Sequence, residues 1–271
     1  MEIVGQDKVK KEVQRILDIF KNSNSEIRPH FILTGSSGSG KSATIKTLAE
    51  MNKLGFLEIN AAQLTKEGTS GNSLSKALTP LVAAGGRQTV VFVDEFDKLF
   101  ISGNSNSDLA HESTNGVQNE FLKVLESDTA TVFGDYGKYI SAPTKDVLFI
   151  FAGAFNGEED IDIDRLRELG IKTEFLGRVG LVYNLKKLTL DDLYKILDNS
   201  NLLDSYLKLF TDVDREKVVY EIKAHIQKIF QENTIGARVI NTLINQYFIN
   251  GGLTRESVDK ITFQKTMKLK D

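Results

Sequence analysis

A glycine-rich segment, GSSGSGKS at positions 35 to 42, has the spacing with the clearest chemical meaning in this sequence. It matches the phosphate-binding loop pattern G-x-x-x-x-G-K-[S/T], with the apolar run HFILT before it and the helix-competent run SATIKTLAEM after it. Glycines allow successive backbone amides to converge on phosphate oxygens, and the start of a helix adds a favourable dipole. Lys41 would reach the β- and γ-phosphates of ATP, and Ser42 would bind Mg²⁺. The predicted nucleotide contacts in this segment are Ser37, Gly38, Ser39, Gly40, Lys41, Ser42 and Ala43.

A pair of acids supplies the second half of the predicted site. In TVVFVDEFDK, four apolar residues indicate a buried strand, and Asp94 and Glu95 follow at its carboxyl end, where α/β sheets bind ligands. Asp94 would hold the Mg²⁺, as the corresponding acid does in phosphate-loop NTPases. Glu95 would polarise the attacking water as a general base. The presence of Glu95 favours hydrolysis over binding alone.

The composition is that of an ordinary globular protein, with 41% apolar and 26% charged residues among 271. The absence of cysteine excludes disulfides and cysteine zinc sites, and it fits a reducing compartment. The formal charge is −3 and no Lys/Arg block occurs, so we expect no direct nucleic-acid binding. We find neither a secretion signal nor a membrane span, and expect a soluble, cytoplasmic protein with no membrane partner.

Periodicity places the predicted site in an α/β fold. DKVKKEVQRILDIF predicts an amphipathic helix. Its apolar face would consist of Val9, Val13, Ile16, Leu17 and Phe20. Short apolar runs then recur in HFILTG, GFLEIN, TVVFVDEF, DVLFIFAG and GLVYNL, separated by polar or helix-periodic sequence. Near-continuous apolar strands that alternate with helices predict a parallel sheet covered by helices on both faces.

The pattern becomes purely helical after about Leu185. Thr189 and Asp192 have capping-box spacing at the start of one helix. Two later helices would each have one apolar face, formed by Val218, Ile222, Ile226, Ile229 and Phe230 in the first and by Ile240, Leu243, Ile244 and Tyr247 in the second, which ends at Gly251 and Gly252. We therefore predict an α/β nucleotide-binding domain over residues 1–185 and a small α-helical domain over residues 186–271.

A polar stretch, ISGNSNSDLAHESTNG at residues 101 to 116, interrupts the α/β half. Its serine, asparagine and glycine content predicts a mobile loop. A solvated connector and a functional loop are equally compatible with this composition.

Taken together, these motifs resemble the AAA+ ATPases, and within them the ClpX/HslU branch of protein-unfolding ATPases. The matching segments are IVGQDKVKKEV, DEFDK, GVQNEFLKVLE, VLFIFAGAF, EFLGRVGLVYNL and IGAR, in the family's order. The resemblance implies that Ile3 and Val4 contact adenine and that the helical domain is a lid. It also implies that Arg178 is an arginine finger acting on the neighbouring subunit's nucleotide, and that Arg238 is the sensor-2 arginine of the lid. A finger acting in trans implies a homo-oligomeric ring, by family resemblance a hexamer.

The sequence also departs from this branch. Where the family has a polar sensor-1 side chain, Ala152 is followed by Gly153, so the water-orienting group is unassigned. The peptidase-docking Ile-Gly-Phe tripeptide, the HslU intermediate domain and the cysteine zinc domain have no counterpart here, so we expect no docking to a Clp or HslV peptidase.

The channel loop differs as well. By resemblance the substrate channel would be lined by Gly68, Thr69, Ser70 and Gly71. Thr69 stands where the family has an aromatic side chain, which would offer a much larger apolar contact. The second channel loop, near HESTNGVQ, lacks the family's basic side chain. We expect weak generic threading of unfolded chains.

Our leading interpretation is an ATP-hydrolysing ring that remodels an unidentified protein partner through nucleotide-driven lid movement. The alternative is a nucleotide-gated assembly or loader factor, possibly DNA-associated, that does not thread its substrate. A module that binds ATP without turnover is disfavoured by Glu95 and Arg178.

Overall fold

A computed structural model describes residues 4–65, 72–100, 108–134, 138–210 and 212–253. The chain divides into two compact units. The first, called the sheet unit, comprises Gln6–Ser36 and Lys41–Lys186. The second, called the helical unit, comprises the described residues of Met1–Gly5, Ser37–Gly40 and Lys187–Asp271. Two short segments from the first forty residues belong to the same unit as the C-terminal residues, so the boundary between the units crosses the sequence more than once. The predicted division into domains at residue 185 stays a prediction.

The sheet unit is built on a five-stranded parallel sheet with the strand order β2-β3-β6-β1-β7. Its strands are β1 (Phe31–Thr34), β2 (Gly55–Asn60), β3 (Thr89–Asp94), β6 (Val147–Gly153) and β7 (Leu181–Asn184). A separate antiparallel hairpin consists of β4 (Thr129–Phe133) and β5 (Tyr139–Pro143). All five apolar runs of the sequence are strands of the parallel sheet, which confirms the predicted α/β fold. Every residue of β1 and β6 is buried, because a parallel sheet has helices on both faces.

Seven helices accompany these strands in the described part of the sheet unit. They are α1 (Asp7–Asn22), α2 (Lys41–Met51), α3 (Leu74–Ala77), α4 (Pro80–Ala84), α5 (Asp108–Glu126), α6 (Ile163–Glu168) and α7 (Thr173–Arg178). The first helix buries the five apolar residues that its periodicity predicts. The core of the unit contains a cluster of phenylalanines, in which the rings of Phe96 and Phe151 have centroids 4.8 Å apart.

One prediction is wrong over part of its length. Residues 108–116 of the predicted mobile loop belong to α5, whereas residues 101–107 lie outside the described part of the chain. The helix is stabilised by the packing of Val117, Phe121 and Leu125, which follow one another at four-residue spacing and are all buried. Packing of this face outweighs the weak helix propensity of the polar residues and Gly116 that precede it.

The helical unit contains four helices in its described residues. They are α8 (Leu190–Asp198), α9 (Asn201–Leu209), α10 (Arg215–Ile229) and α11 (Arg238–Asn250). The predicted capping box is present: the side chain of Thr189 accepts from the Asp192 amide, and the Asp192 side chain accepts from the Thr189 amide. The apolar faces of α8, α10 and α11 form one buried cluster, and Gly251 ends α11 with a φ of 74°. No helix in the described part of the chain is long and apolar enough to cross a membrane.

Candidate functional site

The glycine-rich segment connects β1 directly to α2, as its motif requires. The ammonium group of Lys41, the first residue of α2, folds back over the loop: its Nζ atom donates to the carbonyl oxygen of Gly35 at 2.6 Å and to that of Ser36 at 3.2 Å. The first amides of a helix have no partner within the helix, and the helix dipole favours an anion at this end. Lys41 and Ser42 therefore lie at the helix terminus where phosphate oxygens are best stabilised.

The acidic pair lies at the carboxyl end of β3, within reach of the same helix. The Ser42 hydroxyl donates to Asp94 Oδ2 at 3.3 Å, which joins the first turn of α2 to the end of β3. These two oxygens suit a hard cation such as Mg²⁺, which prefers oxygen ligands and typically takes only one or two from carboxylates. No cluster of three or more His, Cys, Asp or Glu side chains suitable for a metal occurs in the described residues.

Glu95 occupies an unusual backbone conformation beside Asp94. Its φ is 56° and its ψ is 30°, in the left-handed region that non-glycine residues rarely adopt. The Glu95 amide donates to Asp94 Oδ1 at 2.9 Å. Its side chain is exposed, so the carboxylate is accessible to water and to a ligand. Backbone strain of this kind is concentrated at functional sites.

The side chain of Ser39 also fits a phosphate-binding role. Ser39 is only 2% exposed, and its hydroxyl has no hydrogen-bond partner in the described part of the chain. Buried hydroxyls normally have partners, so an unsatisfied one in a phosphate-loop motif is compatible with a ligand. By contrast, Ala43 is exposed in the first turn of α2.

Two polar residues that the sequence analysis did not assign support the strand that leads into the loop. At the carboxyl end of β1, the Thr34 hydroxyl donates to Asn184 Oδ1 at 2.5 Å, and Asn184 also exchanges hydrogen bonds with both backbone groups of Ile161.

Before β1, the imidazole Nδ1 of His30 accepts from the Phe149 amide at 3.0 Å. Burial, assisted by the positive charge of Arg28, lowers the pKa of His30 to about 3. His30 is therefore a neutral acceptor throughout the physiological pH range.

The helical unit contains the remaining part of the loop, Ser37–Gly40, together with the IGAR segment. The Ala237 amide donates to the Gly38 carbonyl at 3.0 Å, and Arg238 Nη1 donates to the Ser37 hydroxyl at 3.1 Å. This close approach of the two segments requires glycine at both position 38 and position 236. A Cβ on Gly38 would lie 2.1 Å from the Ile235 carbonyl oxygen, and one on Gly236 would lie 2.6 Å from the Gly38 oxygen. Arg238 and the tip of the predicted phosphate loop are thus in direct contact.

The other predicted site residues are more dispersed. Arg178 is the last residue of α7 and forms an ion pair with Glu126 at the end of α5. Val4 is partly buried in the helical unit. The predicted contacts of Ile3 and the predicted channel residues 68–71 lie outside the described residues.

A strand, glycine-rich loop and helix carrying Lys41 and Ser42, with an acidic pair at the carboxyl end of another strand of the same sheet, define a phosphate-loop nucleoside triphosphatase. Residues 31–173, more than half of the chain, match the family described as "ATPase family associated with various cellular activities (AAA)", and the chain belongs to this family. It is an ATPase, converting ATP and water to ADP and phosphate, as the sequence predicts.

Relatives of known identity support the narrower resemblance. The "ATP-dependent Clp protease ATP-binding subunit ClpX" of Bacteroides fragilis is 26% identical, with 98% of this chain and 77% of the relative aligned. The protein of the same name from Bacteroides thetaiotaomicron gives the same values. That of Borrelia duttonii is 27% identical, over 90% of this chain and 70% of the relative. The chain is therefore ClpX-like, which at the level of the family implies ATP-driven protein remodelling.

Proposed function

We propose that this chain hydrolyses Mg²⁺-bound ATP in a cytoplasmic ring of identical subunits and uses the energy to remodel a protein partner. The observation that carries the proposal is the contact between the Ser42 hydroxyl and Asp94 Oδ2, because it brings the two predicted metal ligands together beside Lys41. The cytoplasmic location and the ring, with six subunits, are carried over from the resemblance to ClpX.

Hydrolysis uses four residues of the sheet unit. Lys41 and the amides at the start of α2 neutralise charge on the β- and γ-phosphate oxygens. Ser42 and Asp94 hold the Mg²⁺, which supplies further charge neutralisation. Glu95 accepts a proton from the water that attacks the γ-phosphorus, while the bond to the bridging oxygen breaks and ADP departs.

Two further groups bind the nucleotide and transmit its state. Ile3 and Val4 contact the adenine. Arg238 interacts with the γ-phosphate, so its interaction is lost after hydrolysis and the helical lid moves. A hinge-type movement of this kind is expected where a ligand contact holds two structural units in one arrangement.

Arg178 completes the active site of the neighbouring subunit. A guanidinium group that approaches the γ-phosphate stabilises charge in the transition state, and such a residue contributes about 10³- to 10⁵-fold to the turnover of related phosphate-loop enzymes. An isolated subunit therefore has little activity, and assembly is required for turnover.

The partner is a protein rather than a nucleic acid, because the chain has a formal charge of −3 and no basic block. Thr69 offers a smaller contact than an aromatic side chain, so we expect the ring to remodel its partner without vigorous threading. We also expect no docking to a Clp or HslV peptidase. A Thr69→Tyr substitution is expected to increase unfolding of a model substrate. Strong unfoldase activity in the unaltered protein would contradict the weak-grip interpretation.

The assignment of Glu95 and Arg178 is tested by subunit mixing. Glu95→Gln should bind ATP normally but lose about 10²- to 10⁴-fold in turnover, the usual contribution of a general base. Arg178→Ala should likewise bind ATP and fail to hydrolyse it. Rings assembled from both variants should recover part of the activity, because some interfaces then combine an intact Glu95 with an intact Arg178.

Each outcome of the mixing experiment is informative. If either single variant hydrolyses ATP at the normal rate, its residue is wrongly assigned. If mixing restores nothing although mixed rings form, Arg178 does not act in trans. Stimulation of turnover by an unfolded protein would support remodelling, whereas stimulation by DNA would favour a loader. Electron microscopy with a slowly hydrolysed ATP analogue would show whether a six-membered ring forms.

A further inference from the structure

Asp97 is a buried carboxylate close to the acidic pair, and none of the roles proposed above uses it. It lies two residues after Glu95, in a short 3-10 helix over Phe96–Leu99, and is only 1% exposed. A carboxylate taken out of water is costly unless hydrogen bonds and charges compensate it. Its ion-pair partner, Lys98, is half exposed and lies 3.6 Å from Asp97 Oδ2. The compensation must therefore come mainly from buried groups.

Two backbone amides supply it. The Ala154 amide donates to Asp97 Oδ1 and the Phe155 amide donates to Asp97 Oδ2, both at 3.2 Å. These amides belong to the turn that follows β6, and Ala154 comes 57 positions after Asp97 in the sequence. Hydrogen bonds to an ionised acceptor are stronger than those between neutral groups. Asp97 thus fastens the segment after β3 to the segment after β6.

The turn that Asp97 holds is not one that the backbone adopts readily. Phe155 has a φ of 44° and Asn156 one of 57°, both in the left-handed region, and the Phe155 ring is completely buried. Such conformations persist only where the surroundings determine them. There is no room for a side chain at position 153, because a Cβ on Gly153 would lie 2.7 Å from Asp97 Oδ1 and 2.7 Å from the Phe155 ring.

The strand register places this turn at the catalytic edge of the sheet. Gly153 of β6 pairs with Thr34, the residue before the glycine-rich segment. On its other side, Phe151 of β6 pairs with Val93, the residue before the acidic pair. The carboxyl end of β6 therefore lies between the strand that leads to the phosphate loop and the strand that leads to Asp94 and Glu95.

We propose that Asp97 is a positioning residue for ATP hydrolysis. By holding the turn after β6 with one hydrogen bond from each carboxylate oxygen, it fixes the segment that follows Glu95 and so keeps the general base in its left-handed conformation. Asp97 does not contact the nucleotide; it acts through Glu95 and the end of β6. The inference rests on the proposed function, in which Glu95 is the general base.

The principal test is Asp97→Asn, which preserves size but places an amide NH₂ where one backbone amide donates. The kcat for ATP should fall about 10- to 100-fold, the size of effect that a small misplacement of a reacting group produces. The KM for ATP and the affinity for a fluorescent ADP analogue should change less than about threefold, because no nucleotide contact is lost. A purely structural residue would lower the melting temperature without this separation of kcat from KM.

Two more variants keep the test decisive. Gly153→Ala retains the carboxylate but displaces it, so it should reproduce the loss of kcat. Lys98→Ala removes the exposed ion pair and leaves both amide hydrogen bonds, so its kcat should be normal. If Asp97→Asn does not fold, Gly153→Ala decides: a normal kcat in that variant overturns the inference, and failure of both variants to fold overturns it too, since Asp97 would then be a structural residue.

The control for the proposed function is Glu95→Gln. If Glu95→Gln retains full turnover, the general base is wrongly assigned and the proposed function fails first. If Glu95→Gln is inactive while Asp97→Asn has a normal kcat, only the role of Asp97 is overturned.

Discussion

Arg178 Nη2 lies 2.7 Å from Glu126 Oε1, so the predicted arginine finger is held by a carboxylate of its own subunit. Both side chains are about half exposed, at 57% and 47%. An ion pair in that setting contributes about 0.2–1 kcal/mol. In the proposed role in trans, Arg178 has to leave Glu126, so Glu126→Gln should raise the turnover of assembled rings about two- to fivefold. Steady-state ATPase assays at saturating ATP would measure this.

Asp128→Asn is the matched control for Glu126. It removes a negative charge two residues away, and its ionic partner is Arg28, at 4.0 Å, rather than the finger. Its turnover should be unchanged. A lower turnover in Glu126→Gln than in this control would mean that Glu126 orients the finger instead of restraining it.

Gly236→Ala should weaken ATP binding by disturbing the contact between the IGAR segment and the loop tip. Gly236 has a φ of 56°, and an added Cβ would lie 2.6 Å from the Gly38 carbonyl oxygen. Loss of the Ala237–Gly38 and Arg238–Ser37 hydrogen bonds, at about 1 kcal/mol each, should raise the KM for ATP about five- to thirtyfold.

The appropriate control for this substitution is Gly85→Ala. Gly85 has nearly the same φ, 59°, but nothing lies within 4 Å of a Cβ built there. Both variants carry the cost of a left-handed alanine, about 1–2 kcal/mol, so both should lose stability. Only Gly236→Ala should alter the KM, and an equal KM in the two variants would contradict the prediction.

His30 should make the stability of the protein depend on pH below neutrality. Its pKa is lowered to about 3 in the folded protein, against 6.5 ordinarily, because it is buried and lies near Arg28. Between pH 6.5 and 3 the unfolded chain takes up a proton that the folded protein does not. This single group therefore lowers the free energy of unfolding by up to about 1.4 kcal/mol per pH unit as the pH falls, and its contribution fades as the pH rises through about 6.5 to 7.5.

The measurement compares urea unfolding of the native protein and of His30→Asn at several pH values. Asparagine can offer an oxygen in place of Nδ1 for the Phe149 amide without titrating in this range. Contributions from carboxylates are common to both proteins and cancel in the difference. If the two proteins show the same slope between pH 6.5 and 5, His30 is not held neutral.

Thr189→Ala should destabilise the helical unit by about 1 kcal/mol, because it removes the acceptor of the capping box at the start of α8. Thr189→Ser retains the hydroxyl and should lose much less. Denaturant unfolding of the two variants would measure the difference. An equal loss in both would indicate that packing of the threonine methyl group, rather than capping, accounts for the effect.

The sequence predicts the parallel sheet well because each of its strands is a short apolar run flanked by polar sequence, as in DVLFIFAG. The hairpin is different. In β4 only alternate residues, Ala130 and Val132, are fully buried, and β5 begins with three exposed residues, so neither has a continuous apolar run to reveal it. The sequence also fails to predict the start of α5, because the first turns of this helix are polar and its apolar, buried residues come later.

The local motifs of the site are readable, but the contacts between distant segments are not. Lys41, Ser42 and Asp94 belong to patterns whose spacing has a chemical meaning. Asp97 and Asn184 are ordinary polar residues in the sequence, and each acquires its partners only when strands far apart in the chain become neighbours. Both lie in segments that match the family, DEFDK and EFLGRVGLVYNL, but nothing in the local sequence names their partners.

The position of β1 within the sheet also constrains when the protein can become active during synthesis. Its hydrogen-bonding neighbours are β6 and β7, which end at Gly153 and Asn184, so the strand leading into the phosphate loop stays unpaired on both edges until these segments exist. Contacts between such distant parts of a chain form late in folding. A nascent chain on the ribosome therefore has the complete nucleotide motif long before it has the sheet that shapes it.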